Sequence, residues 1–340
     1  MSDVARWAGV SGSTVSHVLN GTRHVNEETR QRVEEAILAT GYRQNSLARS
    51  LAAGRTKTVG ISIPILTNPY IGSLVNAIEG AASAAGYTVL LGDSRDDAET
   101  EARSLNTFLE RRVDGILMAP GVDSYKTTIP QILAGGTPLI LIDRPVNGVA
   151  CDQIFAENFE SARQLTLHLI NEGYQDIAVV RGTPGIGSTD DRYRGFLAAL
   201  EDAGRPNASR LAVMGHANTQ LSEKVLTKLF SGPSRPDALV SLNNAMTIGA
   251  MRAFRELGLD VPKDVALVSF DDFEWADLFS PRLTAMAQDV GEMGRRAIEL
   301  LMSRIDEPGR PPEVVGLPTH FEHRDSCGCT MRAQTAALAG

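Results

Sequence analysis

The chain has 340 residues, 43% of them hydrophobic and 22% charged, an ordinary globular balance with room for roughly two to three domains. A net charge of −8 excludes a uniformly basic nucleic-acid binder, and no apolar run approaches the ~20 residues of a membrane span. The first residues carry Asp3, Arg6 and Trp7 where a secretory signal would be apolar, and three cysteines are too few for a disulfide framework, so the expected location is the cytoplasm.

The charge is uneven. Residues 1–58 hold eight Arg or Lys against five acids, or +3, which leaves −11 for the remainder. A basic head on an acidic body suggests a polyanion-binding module attached to a second function. Within the head, Asp3–Ala8 has helical apolar spacing and Gly9 stands where a left-handed cap would end it. Ser11 can cap a second helix over Gly12–Leu19, and Asn20-Gly21 stops it. Asn26 can cap a third helix, with Glu27 and Glu28 at the positive end of its dipole and Gly41 at its end. A short turn between the first two helices predicts a helix-turn-helix. Its second helix presents Gly12, Ser13, Ser16 and His17, side chains that leave a major groove unobstructed.

The run Asp3-Val-Ala-Arg-Trp-Ala-Gly-Val-Ser11, then Thr14-Val-Ser-His-Val-Leu-Asn20, then Val25, Thr29-Arg30 and Gly41-Tyr42, resembles the headpiece of the LacI/GalR (lactose-repressor) family of bacterial transcriptional regulators. The resemblance implies that Gly12, Ser13 and His17 read bases. It places Ser11, Thr14, Asn20 and His24 on phosphates, where they fix register without reading sequence. Only Met1 and Ser2 precede Asp3, where the family carries a few more residues including a phosphate-touching threonine; the expectation is an upstream start or a shortened first helix. Gln44 stands where the family often has proline.

Asn45–Gly54 follows, with Leu47 and Leu51 at i,i+4, the spacing of one short amphipathic helix. Such a segment is marginal alone. The resemblance makes it a hinge helix that pairs with its twin over the minor groove, with Leu51 wedged between bases at a few kcal/mol of unstacking.

From Thr58 the pattern alternates strand and helix: strand Val59–Pro64, helix Ile71–Ala85, strand Thr88–Leu91, helix Ala98–Arg111, strand Gly115–Met118, helix Thr127–Ala134 and strand Leu139–Ile142. A second series runs through helix 158–171, strand Ile177–Val180, helix 191–203, strand Leu211–Met214, helix 219–230, strand Ala238–Ser241, helix 245–257 and strand Val265–Phe270. Two such series predict an α/β body of two Rossmann-like lobes with parallel sheets. Ligands of such bodies sit outside the carboxyl ends of the strands. The residues there include Asn68 and Tyr70, Asp143 and Arg144, Asp190 to Arg192, Asn243, and Asp271 to Trp275. Carboxylates, amides and guanidinium take paired hydroxyls, and aromatic faces cover the C–H side of a sugar ring.

The family resemblance continues through Asn68-Pro-Tyr70, Ile142-Asp-Arg144, Arg192-x-x-Gly-Phe196, Ser269-Phe-Asp-Asp272 and Pro281–Gln288. It implies a periplasmic-binding-protein-like body and an effector site of Asn68, Tyr70, Asp143, Arg192, Asn243, Asp271 and Trp275. The expected organisation is a headpiece at 1–44, a hinge at 45–57, a body at 58–326 and a loose tail at 327–340. Lobe one would take 58–150 plus 283–305, and lobe two 151–282 plus 306–326.

Gly182-Thr-Pro-Gly-Ile-Gly187 lacks the spacing of a dinucleotide fingerprint and reads as a flexible loop at the cleft, with no cofactor. His320-x-x-His323-x-x-x-Cys327-x-Cys329 offers soft ligands but matches no standard finger, so the expectation is exposed thiols and no metal. No nucleophile–base pair or phosphate loop is legible, which argues against an enzyme. A binding protein without DNA activity is the other reading, and the head argues against it. The chain is therefore expected to be a non-enzymatic, nucleoid-associated repressor. It would act as a homodimer on a pseudo-palindromic operator, its affinity set by a small effector, a sugar or sugar derivative.

Overall fold

The computed structural model describes residues 1–20, 23–42, 54–205, 211–233 and 235–329, without the Asn20 side chain. The chain divides into two units, Met1–Thr56 and Lys57–Gly340. The expected hinge helix and Leu51 lie outside the described residues, as does the tail beyond 329.

The first unit holds α1 (Ser2–Ala8), α2 (Gly12–Asn20) and α3 (Glu27–Thr40). Gly9 and Gly41 adopt φ of 64° and 62° and cap α1 and α3, a conformation that costs glycine nothing. Asn26 accepts from the Thr29 amide at 2.9 Å, satisfying one of the orphan donors of α3. Val4, Ala5, Ala8, Val15, Val33 and Ala36 form a closed core, so the apolar periodicity of each helix meets at one point.

The second unit has two six-stranded sheets. Lobe one contains β1 (Thr58–Ile63), α4 (Pro69–Ala84), β2 (Thr88–Asp93), α5 (Ala98–Glu110), β3 (Gly115–Met118), α6 (Thr128–Ala134), β4 (Leu139–Ile142) and β5 (Asp152–Ala156). Lobe two contains α7 (Phe159–Asn171), β6 (Ile177–Arg181), α8 (Gly187–Asp202), β7 (Ala212–Met214), α9 (Thr219–Phe230), β8 (Ala238–Ser241), α10 (Asn244–Leu257), β9 (Ala266–Phe270) and β10 (Thr284–Gln288). The chain then returns to lobe one as α11 (Val290–Asp306) and β11 (Val314–Leu317), and ends in lobe two with β12 (Thr319–Glu322). The strand orders are β11-β5-β4-β3-β1-β2 and β12-β10-β9-β8-β6-β7. All pairings are parallel except β10 with β12. Each sheet reverses its order beside its first strand, the switch point where ligands of open α/β sheets bind.

The expected lobe boundaries need correction. Residues 152–156 pair with β4 in lobe one, and 314–317 pair with β5. Residues 284–288 stay in lobe two beside β9. The chain therefore crosses between lobes near 157, 289 and 318. The unexpected strand β5 is held by a buried charge that strand patterning does not forecast. Asp152 is fully buried and receives Arg304 at 2.8 and 3.1 Å, Arg310 at 2.9 Å and the Glu313 amide at 2.8 Å, the partners that make a buried carboxylate tolerable. The body also runs past 326, since Cys327 is fully buried in the lobe-two core.

Candidate functional site

Helix termini, strand ends and crossovers converge between the lobes. Asn68 and Asn243 cap α4 and α10, accepting from the Tyr70 and Met246 amides at 2.9 and 3.0 Å. Asn68 also accepts from Asn244 Nδ2 at 2.8 Å, which joins lobe one to lobe two. Asp143 directly follows β4, and Asp271 directly follows β9. Both have positive φ, 64° and 72°, a region that non-glycine residues enter at a cost and that is common at functional sites.

A continuous polar chain links these groups. The Tyr70 hydroxyl shares its proton between Asp143 Oδ1 at 2.8 Å and Gln288 Oε1 at 3.1 Å. Gln288 Nε2 donates to Asp271 Oδ1 at 2.6 Å. Arg192 lies 3.7 Å from the same carboxylate oxygen. It donates from Nε to Asn158 Oδ1 at 2.7 Å and from Nη1 to the Leu242 carbonyl at 2.9 Å. Its guanidinium stacks 3.7 Å above the Phe270 ring, a favourable cation–π placement. Arg144 forms a fork with Asp96 at 2.5 and 3.2 Å, the stronger bidentate kind of pair.

The network is buried, and its titration follows from that. Burial, then the charges of Asp143 and Asp271, push Tyr70 well above the usual phenol range, so it remains a donor. Burial also raises the Asp271 carboxyl, against the pull of Arg192 and Gln288. The cleft is narrow, with a free cavity of about 50 Å³. Asn68, Tyr70, Asp143, Arg192, Asn243 and Asp271 all line it. The loop at 182–187 contributes Gly182, Thr183 and Ile186. Its Gly187 is tight against lobe one, because a Cβ there would fall 2.2 Å from the Pro145 carbonyl oxygen.

Trp275, expected in the site, is not among the lining residues. It packs at 4.4 Å on Phe273 and 5.5 Å from Phe279, in an aromatic cluster of its own. Asp190 and Asp191 line a separate, wider opening. Asn158, Gln288 and Asn244 are partners that strand-end reasoning misses. They sit at the crossovers or one residue inside a helix, and their signal exists only once the lobes are assembled.

In the headpiece, Ser11 Oγ accepts from the Thr14 amide at 3.1 Å and bonds the Ser13 and Thr14 hydroxyls at 2.7 and 2.9 Å. Ser11, Gly12, Ser13 and His24 are exposed, and Thr14 and His17 are partly so. Val15 is fully buried beneath them. The N-terminal end of α2 is thus a rigid, small-residue surface suited to a groove. Among the described residues no helix is long and apolar enough to cross a membrane.

A three-helix head with an open second helix, carried by a two-lobed ligand-cleft body, defines a DNA-binding regulator. Residues 1–45 match the family described as bacterial regulatory proteins, lacI family, and residues 166–327 match the periplasmic binding protein-like domain. The chain is 34% identical over 309 residues to the ribose operon repressor of Escherichia coli K12, covering 91% of this chain and 93% of that protein. It is 31% identical over 328 residues to the transcriptional repressor PurR of Pasteurella multocida, covering 96% and 98%. Its fold is similar to the lac repressor dimer bound to operator and the anti-inducer ONPF, with a TM-score of 0.85 and 25% identity over 96% of this chain and 98% of that one. It is also similar to a CelR–cellobiose complex, with a TM-score of 0.72 and 28% identity over 96% and 98%. The chain belongs to the lacI family and is a transcriptional regulator, not an enzyme.

Proposed function

We propose that this protein is an effector-controlled repressor. It works in the cytoplasm at the nucleoid, as a homodimer on a pseudo-palindromic operator whose half-sites lie about one helical turn apart. The observation that carries the effector reading is Arg192, buried in the cleft between Asn158, Asp271 and the ring of Phe270. Around it stand two buried carboxylates, Asp143 and Asp271, and amides from both lobes. That set suits the hydroxyls of a sugar or sugar derivative. The relatives include a ribose operon repressor and a cellobiose-bound regulator, and also PurR. Tyr70 brings an aromatic ring to the lining, and its hydroxyl is already engaged by Asp143 and Gln288, so the sugar assignment rests on the carboxylates and amides. The effector acts only through its differential affinity for the two states of the body, so effector and operator influence each other reciprocally.

The head reads DNA through Gly12, Ser13 and His17, with Ser11, Thr14, Asn20 and His24 on the backbone. Binding-site selection from random duplex DNA tests this. An enriched palindrome with a flexible central step is expected, and no enrichment would overturn the reading. A pentose and hexose panel followed by thermal shift is expected to stabilise the body; a purine as the sole stabiliser would refute the sugar assignment. Leu51→Ala is expected to weaken operator binding by about tenfold or more, roughly 1.4 kcal/mol, and leave effector affinity unchanged. Equal loss of both, or of neither, would contradict a wedge at Leu51.

A further inference from the structure

Away from the cleft, lobe two gathers four soft ligand groups. His168 comes from α7, and His323, Cys327 and Cys329 come from the segment after β12. Their ligand atoms all lie within 4.8 Å of one another. Cys327 Sγ is 3.3 Å from His323 Nε2 and 3.1 Å from Cys329 Sγ, and Cys329 Sγ is 3.2 Å from His168 Nε2. A tetrahedron built on Zn–S of about 2.3 Å and Zn–N of about 2.0–2.1 Å has edges of roughly 3.3–3.8 Å. The four atoms therefore need only small adjustments to surround one ion. Both cysteines are free thiols, Cys327 buried and Cys329 half-buried.

The backbone is built to hold this set. Gly328, between the two cysteines, has φ of 79°, and a Cβ there would lie 2.5 Å from the Tyr174 hydroxyl. That hydroxyl donates to the Cys327 carbonyl at 2.8 Å. The preceding Ser326 donates to the Leu267 carbonyl at 2.6 Å and accepts from the Thr284 amide at 2.8 Å. Phe321 packs its ring 5.0 Å from His168 and 6.0 Å from His323. Sequence spacing alone suggests His320, but strand alternation puts it on the face opposite Phe321. His168, far away in the chain, takes its place.

We infer that His168, His323, Cys327 and Cys329 form a tetrahedral site for a transition metal of the zinc type. Two sulfurs and two imidazole nitrogens select such an ion over calcium or magnesium, which require oxygen ligands. Four protein ligands leave no open position, the arrangement of a structural site. The ion would fasten α7 to the last segment of the body. Arg324, next to His323, donates to Asp272 at 2.8 and 2.7 Å, and Asp272 adjoins Asp271 of the cleft. The site thus braces the lobe-two floor of the cleft from outside.

The test is metal analysis of the untagged full chain, purified under reducing conditions without chelator. About one zinc per chain is expected, and cobalt reconstitution is expected to give the visible bands of tetrahedral sulfur-bearing coordination. Cys329→Ser and His168→Gln should each weaken zinc binding at least about tenfold. Cys151→Ser, which alters a thiol in lobe one, should retain it. Chelation of the native protein should lower Tm, and zinc should restore it. A folded, reduced chain that holds no zinc and yields no cobalt bands would overturn the site. So would full zinc content in the Cys329→Ser/His168→Gln double variant, or a Cys327–Cys329 disulfide in protein that takes up no metal after reduction.

Discussion

Arg192→Ala is expected to abolish the effector response while the protein still binds its operator as a folded dimer. Arg192 is the cation that links Asp271 to Asn158 in the polar network of the cleft. Its loss takes the cation 3.7 Å away from the Asp271 carboxylate, 2% exposed, leaving it the Gln288 amide, and frees the Asn158 and Leu242 oxygens that it now satisfies. Truncating one partner of a buried, charged hydrogen-bonded pair at a binding site costs roughly 2–5 kcal/mol. Effector affinity should therefore fall at least about thirtyfold. Calorimetry with the effector, operator titration and size exclusion on the same preparation separate binding from folding. Arg192→Lys is the second variant: it keeps the charge but loses the paired donation to Asn158 and Leu242 and the stack on Phe270, and it too should bind effector weakly. Effector affinity near wild type in both variants would show that Arg192 is a packing residue.

The second expected result concerns closure of the cleft. Gly187→Ala should weaken effector binding roughly 5- to 150-fold without touching any polar group of the site. The added Cβ would stand 2.2 Å from the Pro145 carbonyl oxygen of lobe one. A backbone carbonyl cannot rotate away as a side chain can, so the lobes must part. Overpacking of this kind costs about 1–3 kcal/mol, and here the cost falls on the arrangement in which Gly187 meets Pro145. The population of the binding-competent state drops by the corresponding factor. Thermal unfolding without effector should change little, whereas small-angle scattering should show a more open body. A variant with native effector affinity would mean that the lobes already stand apart at this point when effector binds.

The headpiece was legible because its information is local. Gly9, Asn26 and Gly41 act as caps where they were expected, and the apolar positions of three short helices meet in one small core. The order of the strands and helices was legible for the same reason. Periodicity and turn residues act over a few positions, and most elements begin and end within two residues of the reading. Among the predicted helices the exception is α8, which starts at Gly187 rather than at 191; α11 and the strands β5, β11 and β12 were not predicted at all. The first turn of α8, Gly-Ser-Thr-Asp, has no apolar stripe to mark it, and its Gly187 lies against Pro145 of lobe one.

By itself, the sequence determined the family, the α/β alternation and the cleft-lining candidates Asn68, Tyr70, Asp143, Arg192, Asn243 and Asp271. Each is marked by its neighbours in the chain. Tertiary structure alone decided which lobe owns β5, β10 and β11, because parallel pairing joins strands far apart in sequence and has no local sign. It removed Trp275 from the cleft by giving the ring Phe273 and Phe279 as partners. It brought Asn158 and Gln288 to Arg192 and Asp271 through the crossovers. It also moved the cysteines from an expected loose tail to the lobe-two core, where the residue that completes their set is His168, more than a hundred positions earlier in the chain.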